Sequence, residues 1–146
     1  MQTFRALVED IINSNSHVKE NEELLLAIQN HDNKRAVELI QSGADVNYKD
    51  DGYIGDEVTT PLGYAAYFEN DYMLKYLLDN GANVNENPEA LLWAVETNNY
   101  NAVKLLIDYG ADIFAQDPEG TNAFDIAKHS NNKEILSLLK SYARFL

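Results

Sequence analysis

The sequence predicts an all-α protein made of repeated helical units, and the prediction rests on one stretch and its recurrences. Residues 60–85 are TPLGYAAYFENDYMLKYLLDNGANVN. Within this stretch Leu74, Leu77 and Leu78 share one face at helical spacing, so a helix here must bury that face. Gly81 follows them, and glycine can adopt the left-handed conformation that ends a helix. Similar patterns recur along the 146 residues, which predicts a stack of such units.

The same stretch resembles the ankyrin repeat, a turn and two antiparallel helices that carries T-P-L-H-x-A near its start. Thr60 can cap the first helix, and Pro61 fits its first position, where a missing N–H costs nothing. The resemblance implies a single domain over residues 1–146, folded as a solenoid of stacked helix-turn-helix units with short hairpin loops. The matching residues are Thr60, Pro61, Leu62, Ala65, Ala66, Leu74, Leu77, Leu78, Gly81, Ala82, Val84 and Asn85.

Residues 1–19 are predicted to be a capping half-repeat, a second helix without its first. Val8, Ile11 and Ile12 have the spacing of the leucines in the later unit. Asn15 would then take the place of the turn glycine, because asparagine tolerates the left-handed conformation. The first full unit is predicted at 22–47, where the Glu22–Glu23 pair suits the positive end of a helix dipole.

Three further units are predicted at 60–85, 89–114 and 122–146. The unit starts at 22, 60, 89 and 122 are separated by 38, 29 and 33 residues, against about 33 for the family. The extra residues of the first interval fall at 48–59, which we expect to form an extended finger loop. Terminal repeats must cover the core. The side chains expected to cover the C-terminal end are Tyr142, Phe145 and Leu146.

Charge and composition restrict the classes of partner. There are 24 acidic and 11 basic residues, and the net charge of −13 repels phosphate backbones and anionic lipids. We therefore expect neither a nucleic acid nor a membrane as partner. The chain has no cysteine, no long apolar run and no leader pattern, which favours a cytoplasmic location.

No pattern in the sequence indicates catalysis. There is no cysteine nucleophile, no phosphate-binding glycine-rich loop and no H-E-x-x-H helix. The three histidines fall in different units, so no metal site is expected, and the spacing of the finger acids does not fit a calcium loop. Catalytic residues, metals and cofactors are all predicted to be absent.

The resemblance implies binding through the finger and the inner face of the first helices. Positions seven and eight after each unit start carry an unusual aromatic pair, Tyr67 and Phe68. Either this pair is an aromatic anchor, or it packs on Tyr53 or Ile54 as a satellite core. We expect Trp93 in the core, with its edge on the binding face as the alternative. The candidate partner-binding residues are Tyr48, Asp50, Asp51, Tyr53, Ile54, Asp56, Glu57, Tyr67, Phe68, Glu96 and Thr97.

Acidic residues dominate the finger, and this has two explanations. Either the charges keep a solvated loop soluble, or they attract a basic partner, since complementary charge raises the association rate. The predicted function is a non-enzymatic module that binds one basic protein on its concave face and is a monomer when free. A stoichiometric inhibitor, such as a toxin-neutralising immunity protein, fits a chain that is all binding module. The alternative is an adaptor or host-directed effector that recruits its partner without inhibiting it.

Overall fold

The computed structural model describes residues 3–50, 59–86 and 88–145, without the side chains of 14–16. Within these ranges the chain is helical and has no strand; one isolated antiparallel bridge joins Asp50 and Thr59. The all-α prediction is therefore confirmed. The described helices are α1 Phe4–Gln29, α2 Asn33–Gln41, α3 Pro61–Tyr67, α4 Asp71–Asp79, α5 Glu89–Glu96, α6 Tyr100–Asp108, α7 Ala123–His129 and α8 Lys133–Ala143.

The helices stack in two layers. Helices α1, α3, α5 and α7 contact one another in series and form an inner layer, while α2, α4, α6 and α8 do the same in an outer layer. Each inner helix also packs against the outer helix that follows it in the chain. Residues at equivalent positions of successive units therefore lie in rows along the stack, as in a solenoid.

Buried alanines mark the places where the inner helices pack together. Ala27, Ala65, Ala94 and Ala127 occupy the same position in successive units, and all four are buried. A methyl side chain leaves room for a neighbouring helix to approach closely. The larger apolar side chains that fill the space between the layers include Leu39, Leu74, Leu77, Leu106, Ile135 and Leu139.

The turn between the inner and outer helix repeats in all four units. Its central residue has a positive φ of 57° at His31, 54° at Glu69, 57° at Asn98 and 54° at Asn131. The following residue caps the outer helix through its side-chain oxygen; the caps are Asp32, Asn70, Asn99 and Asn132.

The first of these turns also contacts the next unit. The sequence predicts that His31 and Asp32 together cap α2, and the structure divides these tasks. Asp32 accepts the hydrogen bond from the Arg35 N–H at 3.1 Å, whereas His31 Nε2 lies 2.9 Å from the carbonyl oxygen of Phe68. The left-handed residue therefore links its turn to the end of α3.

A glycine in the left-handed conformation follows each of the outer helices α2, α4 and α6. The φ angles are 110° at Gly43, 93° at Gly81 and 94° at Gly110, which confirms the predicted turn positions. An ideal Cβ at any of the three would have no heavy atom within 4 Å. The requirement for glycine there is one of backbone conformation and not of space.

Asparagine side chains connect these glycine turns to one another. Asn47 accepts a hydrogen bond from the Asn83 N–H at 2.7 Å and donates to the Gly81 carbonyl at 3.2 Å. One unit later, Asn85 accepts from the Asp112 N–H at 2.9 Å and donates to the Gly110 carbonyl at 3.0 Å. The same amide thus satisfies two backbone groups of the next turn and fixes the spacing of adjacent units.

The predicted N-terminal half-repeat is wrong in its local structure. Helix α1 continues from Phe4 to Gln29, so no left-handed turn occurs at Asn15 and Glu22–Glu23 lies inside a helix. No Gly or Pro occurs in this range to stop the helix. Ile11 and Ile12, expected to be buried like the leucines of a second helix, are each 60% exposed.

The prediction for the C-terminal end is also partly wrong. Phe145 does not cover the last unit, because its side chain is 89% exposed. Tyr142 is half-buried against the core, and its hydroxyl donates a hydrogen bond to Asp108 in the preceding outer helix at 2.6 Å. Leu146 lies outside the described residues. The last helix, α8, is therefore hydrogen-bonded to the preceding outer helix, α6.

Tyrosine and lysine side chains join successive outer helices through aspartates. Lys75 donates to Asp79 at 2.9 Å, four residues later on α4, and the Tyr109 hydroxyl donates to the same carboxylate from the next unit. The pKa of Asp79 is lowered first by the Tyr109 hydrogen bond and then by that of Lys75. The bridge spans two units through one carboxylate.

The same arrangement occurs one unit later. Asp108 accepts hydrogen bonds from Lys104 at 2.9 Å and from Tyr142 at 2.6 Å. The Lys104 contact is the larger cause of the lowered pKa of Asp108, and the Tyr142 hydroxyl is the second. Because the folded-state pKa is depressed, the stability from each bridge is present above the ordinary aspartate pKa of about 3.9. That stability is lost as the pH falls through the folded-state value.

Tyr109→Phe should raise the pKa of Asp79 towards its ordinary value, because the variant lacks the phenolic donor. Carboxyl-detected NMR titration measures both aspartates in one sample. Asp108 serves as the internal control and should keep its lowered pKa. In Tyr142→Phe the pKa of Asp108 should rise, and that of Asp79 should stay lowered. An unchanged Asp79 pKa in Tyr109→Phe would contradict the assigned cause.

Gly81→Val should lower the free energy of unfolding by about 1–2 kcal/mol, the cost of a left-handed backbone at a residue with a Cβ. Urea unfolding followed by circular dichroism measures this difference. Gly81→Asn is the matched control, since asparagine tolerates the left-handed region better and should cost less. Equal stability of the valine variant and the wild type would show that the turn relaxes to another conformation.

Candidate protein-binding surface

Four aromatic side chains form one cluster on the inner layer, and the cluster consists of Tyr64, Tyr67, Phe68 and Trp93. The Tyr67 ring lies edge-on to Phe68 at 5.0 Å and edge-on to Trp93 at 5.2 Å between ring centroids. Tyr64 is fully buried beneath, 5.8 Å from Phe68. Tyr67 remains 44% exposed. Tyr67 is therefore exposed to solvent, and its ring is held between Phe68 and Trp93.

Gly63 makes room for this cluster. It stands where the T-P-L-H-x-A pattern has His, and an ideal Cβ there would lie 3.1 Å from Trp93 Cζ3 and 3.1 Å from Thr59 Cγ2. Such contacts are tighter than ordinary van der Waals packing. The small residue on α3 thus lets the indole of α5 approach and reach Tyr67.

Trp93 belongs to a row that the sequence analysis missed. Four residues after each unit start come Leu26, Tyr64, Trp93 and Ile126, and the last two are half-buried against the core. Leu26 is 43% exposed. Applying the same repeat spacing to this position, and not only to positions seven and eight, would have found the row.

The base of the finger adjoins the cluster. Asp50 and Thr59 exchange two backbone hydrogen bonds of 2.8 Å, which closes the loop at its base. The Tyr64 hydroxyl donates to the Asp50 carboxylate at 3.1 Å. Lys49 forms an ion pair with Glu86 in the next unit. Asp50 is thus hydrogen-bonded to the aromatic cluster, whereas the neighbouring Lys49 pairs with Glu86 and not with Asp50.

The predicted site residues fall into three groups. Tyr67 and Phe68 are brought together with Asp50 through Tyr64. Of the other described candidates, Tyr48 is half-buried against the core, Glu96 is exposed at the end of α5, and the Thr97 hydroxyl donates to the Trp93 carbonyl at 2.9 Å. The candidates that lie outside the described residues are Asp51, Tyr53, Ile54, Asp56 and Glu57.

Trp93 is half-buried against the core, as expected, and its ring centroid lies 5.2 Å from that of Tyr67. A place for its edge on the binding face stays a prediction. Packing of Tyr67 or Phe68 on the finger would involve residues outside the described ranges. Within those ranges, the neighbours of the two rings are the other members of the aromatic cluster.

Two other classes of site have no support among the described residues. Their histidines and acids do not gather in any group of three that could ligate a metal ion. Every helix in the described ranges is too short or too polar to traverse a lipid bilayer.

Comparison with known proteins agrees with this architecture. The family described as "Ankyrin repeats (3 copies)" matches residues 24–117 and, in a second alignment, residues 62–145. An ankyrin repeat protein of Acanthamoeba polyphaga mimivirus is 32% identical over 108 residues, covering 71% of this chain and 67% of that protein.

Larger proteins contain a similar segment. The E3 ubiquitin-protein ligase hecd-1 of Caenorhabditis elegans is 31% identical over 130 residues, which cover 85% of this chain but 5% of the ligase. A fowlpox virus ankyrin repeat protein is 30% identical over 147 residues, covering 71% of this chain and 42% of the viral protein. The shared part is therefore the repeat array and not the remainder of these proteins. The chain belongs to the ankyrin repeat family, whose repeats are generally non-catalytic modules for protein–protein interaction.

Proposed function

We propose that this chain binds one basic protein partner on the inner face of the stack, with Tyr67 as the central anchor. The observation that carries the proposal is the half-exposed Tyr67 ring held edge-on between Phe68 and Trp93. Aromatic residues of this kind account for much of the energy of protein interfaces.

The packing of Tyr67 favours it as an anchor. A side chain already held by two neighbours loses little rotamer freedom when a partner covers it, so less of the contact energy is offset by ordering. Edge-to-face ring pairs also contribute beyond the area that they bury. Tyrosine adds a hydroxyl that can bond to the partner at the rim of the contact.

Charge supports a basic partner. The chain carries a net charge of −13, and the described lysine of the finger base, Lys49, is paired with Glu86. Asp50 therefore contributes negative charge beside the aromatic cluster. An acidic surface speeds the encounter with a basic protein and disfavours acidic ones, nucleic acids and anionic membranes.

Inhibition and recruitment are two possible consequences of such binding. A toxin-neutralising role requires that the partner lose its own activity at one equivalent of this protein. The adaptor or effector role requires that the partner stay active while bound. An activity assay of the purified complex therefore distinguishes the two.

Tyr67→Ala should abolish capture of the natural partner, with a loss of about 2 kcal/mol or more of binding free energy, as expected of an interface anchor. Affinity capture from the source cells, quantified by mass spectrometry, compares the variant with the wild type. Tyr72→Ala is the matched control, because Tyr72 is 59% exposed but lies on outer helix α4. The protein sought is a basic one lost with the first variant and kept with the second.

The same variants identify the outcome that contradicts the proposal. If every captured protein survives Tyr67→Ala, or if capture is lost only in Tyr72→Ala, the partner binds elsewhere. Tyr67→Ala should itself lower stability by only about 1 kcal/mol, from the two ring contacts. Phe68→Ala is less suitable, because Phe68 also packs against the core.

Removing the finger charges should act on a different step. Conversion of Asp50, Asp51, Asp56 and Glu57 to their amides should slow association and reduce its salt dependence, because exposed charges mainly steer the encounter. Stopped-flow measurements at several ionic strengths test this with the purified partner. Glu119→Gln with Glu134→Gln, near the C-terminal end of the stack, is the control and should change the association rate less per charge removed. Unchanged association at low salt would exclude steering by the finger.

A further inference from the structure

A cavity of about 240 Å³ lies between α1 and α3 at the base of the finger. It adjoins the aromatic cluster, because Tyr64 belongs to both and its ring lies 5.8 Å from that of Phe68. It is therefore adjacent to the surface to which we assign partner binding. Its described lining consists of Glu22, Leu25, Leu26, Asp50 and Tyr64.

The walls of this cavity are of two kinds. Leu26 is partly exposed and offers apolar surface, and Leu25 and Tyr64 are buried beneath it. Glu22 and Asp50 add two carboxylates. Asp50 is fixed in place, because its backbone is bridged to Thr59 and its carboxylate accepts the Tyr64 hydrogen bond.

Neither carboxylate is neutralised within the described part of the chain. The ion pairs formed there direct nearby basic side chains to other acids: Lys49 pairs with Glu86, and Arg35 pairs with Glu23 at 2.7 Å. The cavity thus combines apolar walls with negative charge that no described lysine or arginine compensates.

We infer that this cavity receives a basic side chain, arginine or lysine, of the protein partner. The inference rests on the proposed function and specifies the chemistry of the contact. The methylene stem of such a side chain packs against Leu26 while its charged end reaches Glu22 and Asp50. A purely apolar side chain would remove water from two carboxylates without replacing those hydrogen bonds. An acidic side chain would be repelled.

Small blocked amino acids test this without the natural partner. The probes are N-acetyl-arginine methylamide and N-acetyl-lysine methylamide, titrated into the whole protein and followed by ¹H–¹⁵N NMR. We expect saturable shifts confined to the amides around Leu25, Leu26, Asp50 and Tyr64 for at least one of the two. The neutral citrulline and norleucine analogues should bind about tenfold more weakly or worse, because they cannot form charge-assisted hydrogen bonds.

Variants assign the effect to the two carboxylates. Glu22→Gln with Asp50→Asn should weaken binding of the cationic probe by about tenfold or more. Glu119→Gln with Glu134→Gln removes the same number of charges near the C-terminal end of the stack and should leave probe binding unchanged. Should the first pair disturb the fold, Glu22→Gln alone replaces it, because Glu22 is exposed and lies outside the Asp50–Tyr64 hydrogen bond.

Three results would overturn the inference. One is equal binding of the cationic and neutral probes, and another is undiminished binding by Glu22→Gln with Asp50→Asn. The third is a set of shifts spread over the acidic surface, or no shift at the cavity at all. Tyr67→Ala should not alter probe binding, so failure of the cavity and failure of the proposed partner surface give different results.

Discussion

Stacking of neighbouring units is the constraint on which this structure depends. Helices α2 to α8 are 7 to 11 residues long, and isolated helices of that length are marginal in water. Each becomes stable only when its apolar face is covered by the helices beside it. The buried alanines of the inner layer allow that close approach, and the rows of leucine and isoleucine between the layers supply most of the buried apolar surface.

Directional hydrogen bonds give this packing its register. Apolar contacts alone would tolerate small shifts of one unit against the next, whereas Asn47 and Asn85 each bind two backbone groups of the following turn. The series ends at Phe114, which occupies the equivalent position. No glycine turn follows in the last unit, where Ala143 replaces the glycine. Phe114 stacks on Phe124 instead, with centroids 5.6 Å apart and planes 12° from parallel.

The proposed binding surface is a product of the same stacking. Tyr67 comes from α3, Trp93 from α5 and Asp50 from the base of the finger, so no single unit contains the site. Gly63 is needed both for the packing of α3 and α5 and for this surface, because a side chain at position 63 would crowd the Trp93 indole. Neighbouring rings hold Tyr67, while the Asp50 carboxylate is held at the base of the finger by the Tyr64 hydroxyl.

Sequence alone determined the glycine turns at Gly43, Gly81 and Gly110 and the helix cap at Thr60. These depend on local chemistry: a left-handed backbone favours glycine, and an exposed helix start favours a short polar side chain. Local sequence also placed Tyr67 and Phe68 at the end of an inner helix. It could not place Trp93 against Tyr67, because that contact depends on the size of Gly63 in the neighbouring unit. Nor did it anticipate the continuous helix α1, since Asn15 is acceptable both in a left-handed turn and within a helix. At Trp93, packing between residues distant in the chain decided a position that the local sequence had left open, because the space beside Gly63 comes from the neighbouring helix.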